Sequence, residues 1–302
     1  VANTEILVEA RPQSRRVPMV RDLVALTKPR ITLLVLFTFA AGACLAPGRV
    51  ALGHLLLSLV GTALIVASAN ALNMWWERDV DGFMRRTRSR PLPAGRMSPD
   101  VALAFGLTLG AVAAPMLFLV NIATGLLGLV ALLSYVAVYT PLKRHTYLAL
   151  LVGAVPGAMP PLLGWTTATG SIGLGGALLF AFMFLWQIPH FAAITLFRAD
   201  DYARAGLQVV SVQHGPTAAR HMVGLWTVLL VAASLLFVPL GFAGNAYLTV
   251  ATVLGAGFLA LAFRGVRGGA KLDVPRWAKL TFAYSIPYLS LVVIALLLDR
   301  VR

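Results

Sequence analysis

A single cysteine, Cys44, leaves the chain with no internal disulfide, no cysteine-based zinc pattern and no paired thiols for c-type haem attachment. A Walker loop, a nucleophile elbow and a dinucleotide fingerprint are absent too. Charge is scarce: 12% of the residues carry it, against 59% hydrophobic, far from a soluble domain. Acids are scarcest, with eleven Asp and Glu against 25 Lys and Arg. Alternating polar and apolar residues are missing as well, and their absence excludes a membrane β-barrel.

What is present is a series of continuous apolar runs, at about 24–46, 50–76, 101–120, 123–141, 147–165, 174–197, 217–240, 245–264 and 277–298. Most approach the roughly 20 residues that cross a bilayer as helix. The expectation is an all-α integral membrane fold of nine transmembrane helices. Residues 1–22 are expected to form a flexible cytoplasmic tail, and 23–302 one intramembrane domain. The first run is too long and too far from the start to be a cleaved signal peptide. Cys44 falls in that run and is expected to be a small buried hydrophobe. Gly153, Pro156, Gly157, Pro160, Pro161 and Gly164 crowd the fifth run, which is expected to kink or break, with close packing as the plainer use of these residues.

The net charge of +14 suggests nucleic acid until its distribution is read. With the N-terminus placed in the cytoplasm, 22 of the 25 basic residues fall on the inner side; Arg49, Arg300 and Arg302 do not. That is the positive-inside pattern. It predicts an inner N-terminus and an outer C-terminus and argues against a nucleic-acid partner. The lack of a transit-like leader points to a bacterial inner membrane.

Five of the eleven acids sit in two places, after the second and sixth runs: Glu77, Asp79 and Asp81, then Asp200 and Asp201. At about 100° per residue, Asn73, Glu77 and Asp81 occupy a stripe of roughly 80° on one helix face, and Asn70 joins them. Asp79 points away. Carboxylates at a membrane border are costly, so the stripe reads as a functional site. Mg²⁺ takes hard oxygen ligands, one or two carboxylates completed by substrate phosphates. The plainer alternative is a salt-bridged helix end.

In the second place, Asp201 would lie about 20° from His190 if the helix ran on, with Gln187 on the same side and Pro189 as a bend. Asp201 could hold a second cation. For His190 four uses stay open: haem iron, a haem propionate, a pyrophosphate oxygen, or a hydrogen-bonded core histidine. Arg85, Arg86, Arg90, Lys143 and Arg144 gather at the same border and suit phosphate, while Arg88 and Arg96 read as topology alone. Trp75, Trp76, Tyr135, Tyr139, Trp165, Phe184, Trp186 and Phe191 offer π faces to a carbocation, or serve as interface belt and packing.

The segment NMWWERDVDGFMRRTRSRPLPAG (73–95) resembles the first signature of the UbiA-type intramembrane prenyltransferases, and among them the haem-farnesylating branch. LTKPRITLLVLFT (26–38), YTPLKRHTYLAL (139–150), GAVPGAMPPLLGW (153–165) and WQIPHFAAITLFRADDYARAG (186–206) support it. The resemblance implies helices around a central cavity and a reaction in which haem B, farnesyl diphosphate and water give haem O and pyrophosphate. It implies Mg²⁺ held by Asn73, Glu77, Asp81 and Asp201, the catalytic set. Diphosphate would meet Arg85, Arg86, Arg90, Lys143 and Arg144, and haem would meet Gln187 and His190. Membrane lipid surrounds such a protein, and a haem A synthase or a terminal oxidase would receive its product. The chain departs from the wider family at Phe197, where many relatives carry an aspartate four before Asp201, and at LQVVSV after Gly206, where the branch often reads Pro-Met-Leu-Pro. Three rivals stand beside this reading: transfer to an aromatic acid or quinone precursor, a polytopic transporter, and a non-catalytic haem assembly factor.

Overall fold

The computed structural model describes residues 20–301. The expected tail therefore lies outside the described residues, apart from 20–22, which already belong to a helix. α1 (Val20–Thr27) and α2 (Pro29–Leu45) form one bent span with a 44° angle between them. The bend sits on Lys28, the one non-glycine residue at positive φ (48°) among those described. Pro29 explains its place, because a proline crowds the preceding residue out of the right-handed helical region.

α3 (Leu52–Trp76) runs into the one-turn α4 (Arg78–Asp81). α5 (Pro99–Val120) starts on a Ser98 cap and α6 (Ile122–Leu133) on an Asn121 cap, each side-chain oxygen accepting from a backbone N–H three residues on. α6 passes through a π-helical turn, Ser134–Tyr139, into α7 (Thr140–Leu142). The sequence gives no warning of that turn. α8 (Ala149–Thr169), α9 (Gly173–Phe197), the short α10 (Ala199–Arg204) and α11 (Val210–Gln213), then α12 (Gly215–Leu235), α13 (Asn245–Arg267) and α14 (Val274–Leu298) complete the chain. Among the described residues, eight helices are long and apolar enough to cross a membrane, nine with the bent pair counted as one span. Among the described residues the only bridge of β type is an isolated pairing of Ala243 with Arg300.

α3 packs on α5, α2 on α8, α8 on α9 and α9 on both α12 and α14, and α14 returns to α2, closing a ring. Trp165, Phe182, Phe237, Tyr247, Phe258 and Tyr288 fill the larger apolar cluster. Leu26, Met74, Leu92 and Met97 seal the loop that follows α4. Leu33, Leu107, Leu119, Leu225 and Leu291 are exposed on the outside, where a membrane protein meets lipid.

Two expectations need correcting. α8 is not broken: it stays α-helical through Pro156, Pro160 and Pro161. Its small residues serve close approach, since a Cβ on Gly164 would overlap the Phe39 carbonyl, and one on Gly42 of α2 the Pro161 carbonyl. The backbones of α2 and α8 thus touch. Cys44 is exposed, because it lies on the outer side of α2 near its end, where the Arg300 guanidinium donates to its carbonyl.

Candidate functional site

A cavity of about 470 Å³ is walled by α2, α3, the π turn, α8 and α9. One end is polar and charged. Asn70, Asn73, Glu77 and Asp81 line it, as their spacing predicts, and all four are buried. The stripe survives the break at Glu77 because the helical ladder carries across it: Glu77 N–H donates to the Asn73 carbonyl at 2.9 Å and Asp81 N–H to the Glu77 carbonyl at 2.8 Å. Asn73 Nδ2 donates to Glu77 Oε2 at 2.9 Å and to Thr140 Oγ1 at 3.2 Å. The Thr140 hydroxyl in turn donates to the Tyr135 carbonyl at 2.8 Å, inside the π turn. Asp79 is exposed, as expected.

Each buried acid has a basic partner. Lys143 Nζ stands 2.5 Å from Glu77 Oε1, and Arg90 Nη1 2.5 Å from Asp81 Oδ2. A carboxylate this deep is sustained only by such compensation. Arg86 lines the cavity too, and so does Lys28, which the sequence reading missed. Its signal was the Lys-Pro pair ahead of the first apolar run, a helix break that turns a basic side chain inward. Arg85 and Arg144 are exposed and do not line the cavity.

The other end is largely apolar and carries Gln187 and His190. Gln187 Nε2 donates to the carbonyls of Ala154 (3.0 Å) and Met183 (3.1 Å), and its amide fits where Gly157 has no side chain. His190 lies between Trp186 and Phe282, both with ring centroids 4.7 Å away. Its Nδ1 is 2.7 Å from Ser285 Oγ, and that hydroxyl spends its only proton on the Phe282 carbonyl at 2.7 Å. With the hydroxyl proton on that carbonyl, Nδ1 donates to Ser285 Oγ and Nε2 keeps a lone pair. Ser285 is a partner no sequence pattern signals, since it lies 95 residues away on α14.

Asp201 does not join this group. α9 stops at Phe197, so the continuous helix assumed from His190 to Asp201 is not there. Asp201 N–H reaches back three residues to Arg198 rather than four, and the carboxylate pairs with Arg198 at 3.7 Å and with Arg204. It is buried but does not line the cavity. Among the described residues no three of His, Cys, Asp and Glu stand close enough to hold a metal by themselves. The donor set that faces the cavity is two carboxylates and two amide side chains. It suits an oxygen-seeking divalent cation that completes its shell with water and phosphate.

A profile of the UbiA prenyltransferase family matches residues 34–286. A protoheme IX farnesyltransferase of Anaeromyxobacter sp. (strain Fw109-5) is 50% identical over 292 residues, 96% of each chain. One of Sorangium cellulosum (strain So ce56) is 54% identical over 261 residues, 86% of this chain and 92% of the relative. Among solved structures, a digeranylgeranylglyceryl phosphate synthase superposes with a TM-score of 0.79 at 15% identity, covering 92% of this chain and 97% of that one. A UbiA homolog from Archaeoglobus fulgidus, bound to DMAPP and Mg²⁺, gives 0.67 at 18% identity, covering 89% and 99%. At such identities the structures share a fold with this chain.

Proposed function

The chain belongs to the UbiA prenyltransferase family, and we propose that it transfers the farnesyl group of farnesyl diphosphate to the 2-vinyl group of haem B, with addition of water, giving haem O and pyrophosphate. The observation that carries the reading is one cavity with two unlike ends: buried acids and bases at one, and at the other an apolar wall with a positioned imidazole.

The charged end suits the diphosphate. Lys28, Arg86, Arg90 and Lys143 face it, and the latter two already balance acids. We assign Asn73, Glu77 and Asp81 to a Mg²⁺ ion entering with the diphosphate; once bound, the ion would take charge off the departing pyrophosphate. With a cation on the carboxylates, Lys143 and Arg90 would be free to meet phosphate oxygens. The exchange keeps every buried charge paired. Asp201 stays with Arg198 and Arg204 in this conformation and is left out of the assignment.

The chemistry follows from the two ends. The C1–O bond of farnesyl diphosphate breaks, and its electron pair leaves with pyrophosphate against the basic side chains. The vinyl group attacks the allylic C1. Water adds to the cation left beside the porphyrin ring and gives up a proton. Tyr135, Tyr139 and Trp186 line the space between and offer π faces to positive charge. The apolar wall keeps bulk water from the first cation. Gln187 and His190 orient the porphyrin. His190→Ala should depress haem turnover far more than diphosphate binding, and equal loss of both would count against that role.

The multi-pass fold and the bacterial origin of the relatives support a bacterial cell membrane, with a haem A synthase or a terminal oxidase taking the product. Mass spectrometry of porphyrins from cells making the chain tests the whole reading. A gain equal to farnesyl plus water is expected, and unmodified haem alone refutes it.

A further inference from the structure

A second hollow, of about 670 Å³, opens on the outside of the ring between the start of α8, α12 and the end of α13. It lies at the membrane face where α3 and α9 end, and Tyr147 and Val210 line both this groove and the reaction cavity. Its walls are apolar, with Leu151 and Trp226 half-buried and Leu225, Val228 and Phe263 exposed. Its mouth carries His214 and His221. Acyl chains fill apolar grooves on membrane proteins and need no imidazole, so the histidines decide what the groove is for.

His221 Nδ1 lies 3.0 Å from the Thr217 carbonyl. A carbonyl only accepts, so Nδ1 bears a proton and Nε2 is the ring nitrogen left for another partner. An imidazole that donates one N–H to a backbone carbonyl is the arrangement that orients metal-binding histidines. His214 packs edge-on against Tyr147, with centroids 4.7 Å apart, on the wall shared with the cavity. Arg267 does not line the groove but stands over the ring of Phe263, which does, at 5.9 Å, and so brings positive charge beside it. A flat apolar molecule with a nitrogen-seeking metal and carboxylates at one edge fits all of these features. The groove volume lies within the roughly 300–1,000 Å³ of small-molecule sites.

We propose that this groove is a docking site for haem outside the reaction cavity, with His221 Nε2 on the iron, Arg267 near the propionates, and Tyr147 and Val210 as the partition the porphyrin must pass. The proposal rests on the reading of haem as the acceptor. It adds a site that holds the porphyrin before transfer.

The test uses the full chain in lipid nanodiscs, titrated with haem B and followed by absorption and by electron paramagnetic resonance of the ferric form. The expected result is two haems per chain. In His221→Ala one haem and its histidine-ligated signal are lost. In His190→Ala the His221-dependent signal persists. His221 is exposed, so its replacement leaves packing intact. At saturating haem, His221→Ala should keep kcat and raise the haem KM about tenfold. An unchanged stoichiometry and spectrum in His221→Ala overturn the proposal, as does a groove that retains only phospholipid by native mass spectrometry. Farnesylated haem made by the unaltered protein is scored separately. Its absence refutes the proposed reaction, whereas loss of the groove signal alone concerns only this site.

Discussion

At the end of α3 the chain breaks at Glu77, and at the end of α9 it breaks at Arg198; acids and arginines follow in both places. At the first break the i to i−4 hydrogen bonds continue through Glu77 and Asp81, so both carboxylates stay on the face that Asn73 began. At the second the bond to Asp201 tightens to i−3, the face turns, and the carboxylate is taken by the arginines on either side. Similar composition therefore lines the cavity in one place and pairs with neighbouring arginines in the other. A single hydrogen-bond register separates them.

The largest expected effect breaks the comparison outright. Glu77→Ala with Asp81→Ala should cut farnesyl transfer at least about a thousandfold, because departing charge then goes unneutralised. Turnover of farnesyl diphosphate by purified protein measures it, and substantial residual transfer would also revive a non-catalytic reading. Next comes the matched pair. Asp81→Asn should cost roughly a hundredfold in kcat and Asp201→Asn less than about tenfold, a span typical of groups at and around a metal. Equal losses would mean that Asp201 swings into the cavity when substrate binds.

Gly157→Ala sharpens the view of the far end. Its Cβ would collide with the Gln187 amide, which must then leave the Ala154 and Met183 carbonyls. Freeing a buried amide costs about 1–3 kcal/mol. The haem KM should rise about tenfold with diphosphate affinity unchanged, as separate titrations of the two substrates would read. The smallest effect belongs to Arg204→Gln. Arg204 is 46% exposed, so loss of its pair with Asp201 should change stability by less than about 1 kcal/mol in a detergent unfolding assay.

The helices were legible because a bilayer demands long apolar runs, and every expected span has its helix. The stripe of Asn73, Glu77 and Asp81 was legible because helical spacing is arithmetic, provided the ladder holds. The same arithmetic failed at Asp201 because nothing in the LFRADD stretch announces a break; no glycine or proline marks it. The π turn at Ser134–Tyr139 was hidden for the same reason: the Thr140 hydroxyl that bonds the Tyr135 carbonyl looks like any threonine in sequence. Lys28 and Ser285 act through positions that only tertiary packing defines, one at a bend and one across α14 from His190.

The most direct test of the central claim measures binding of a non-reactive farnesyl diphosphate analogue with and without Mg²⁺, in the unaltered protein and in Glu77→Gln with Asp81→Asn. Mg²⁺ should tighten binding at least tenfold in the first and leave the second unchanged. Equal tightening in both, or none in either, would contradict the assignment of the cation to the end of α3.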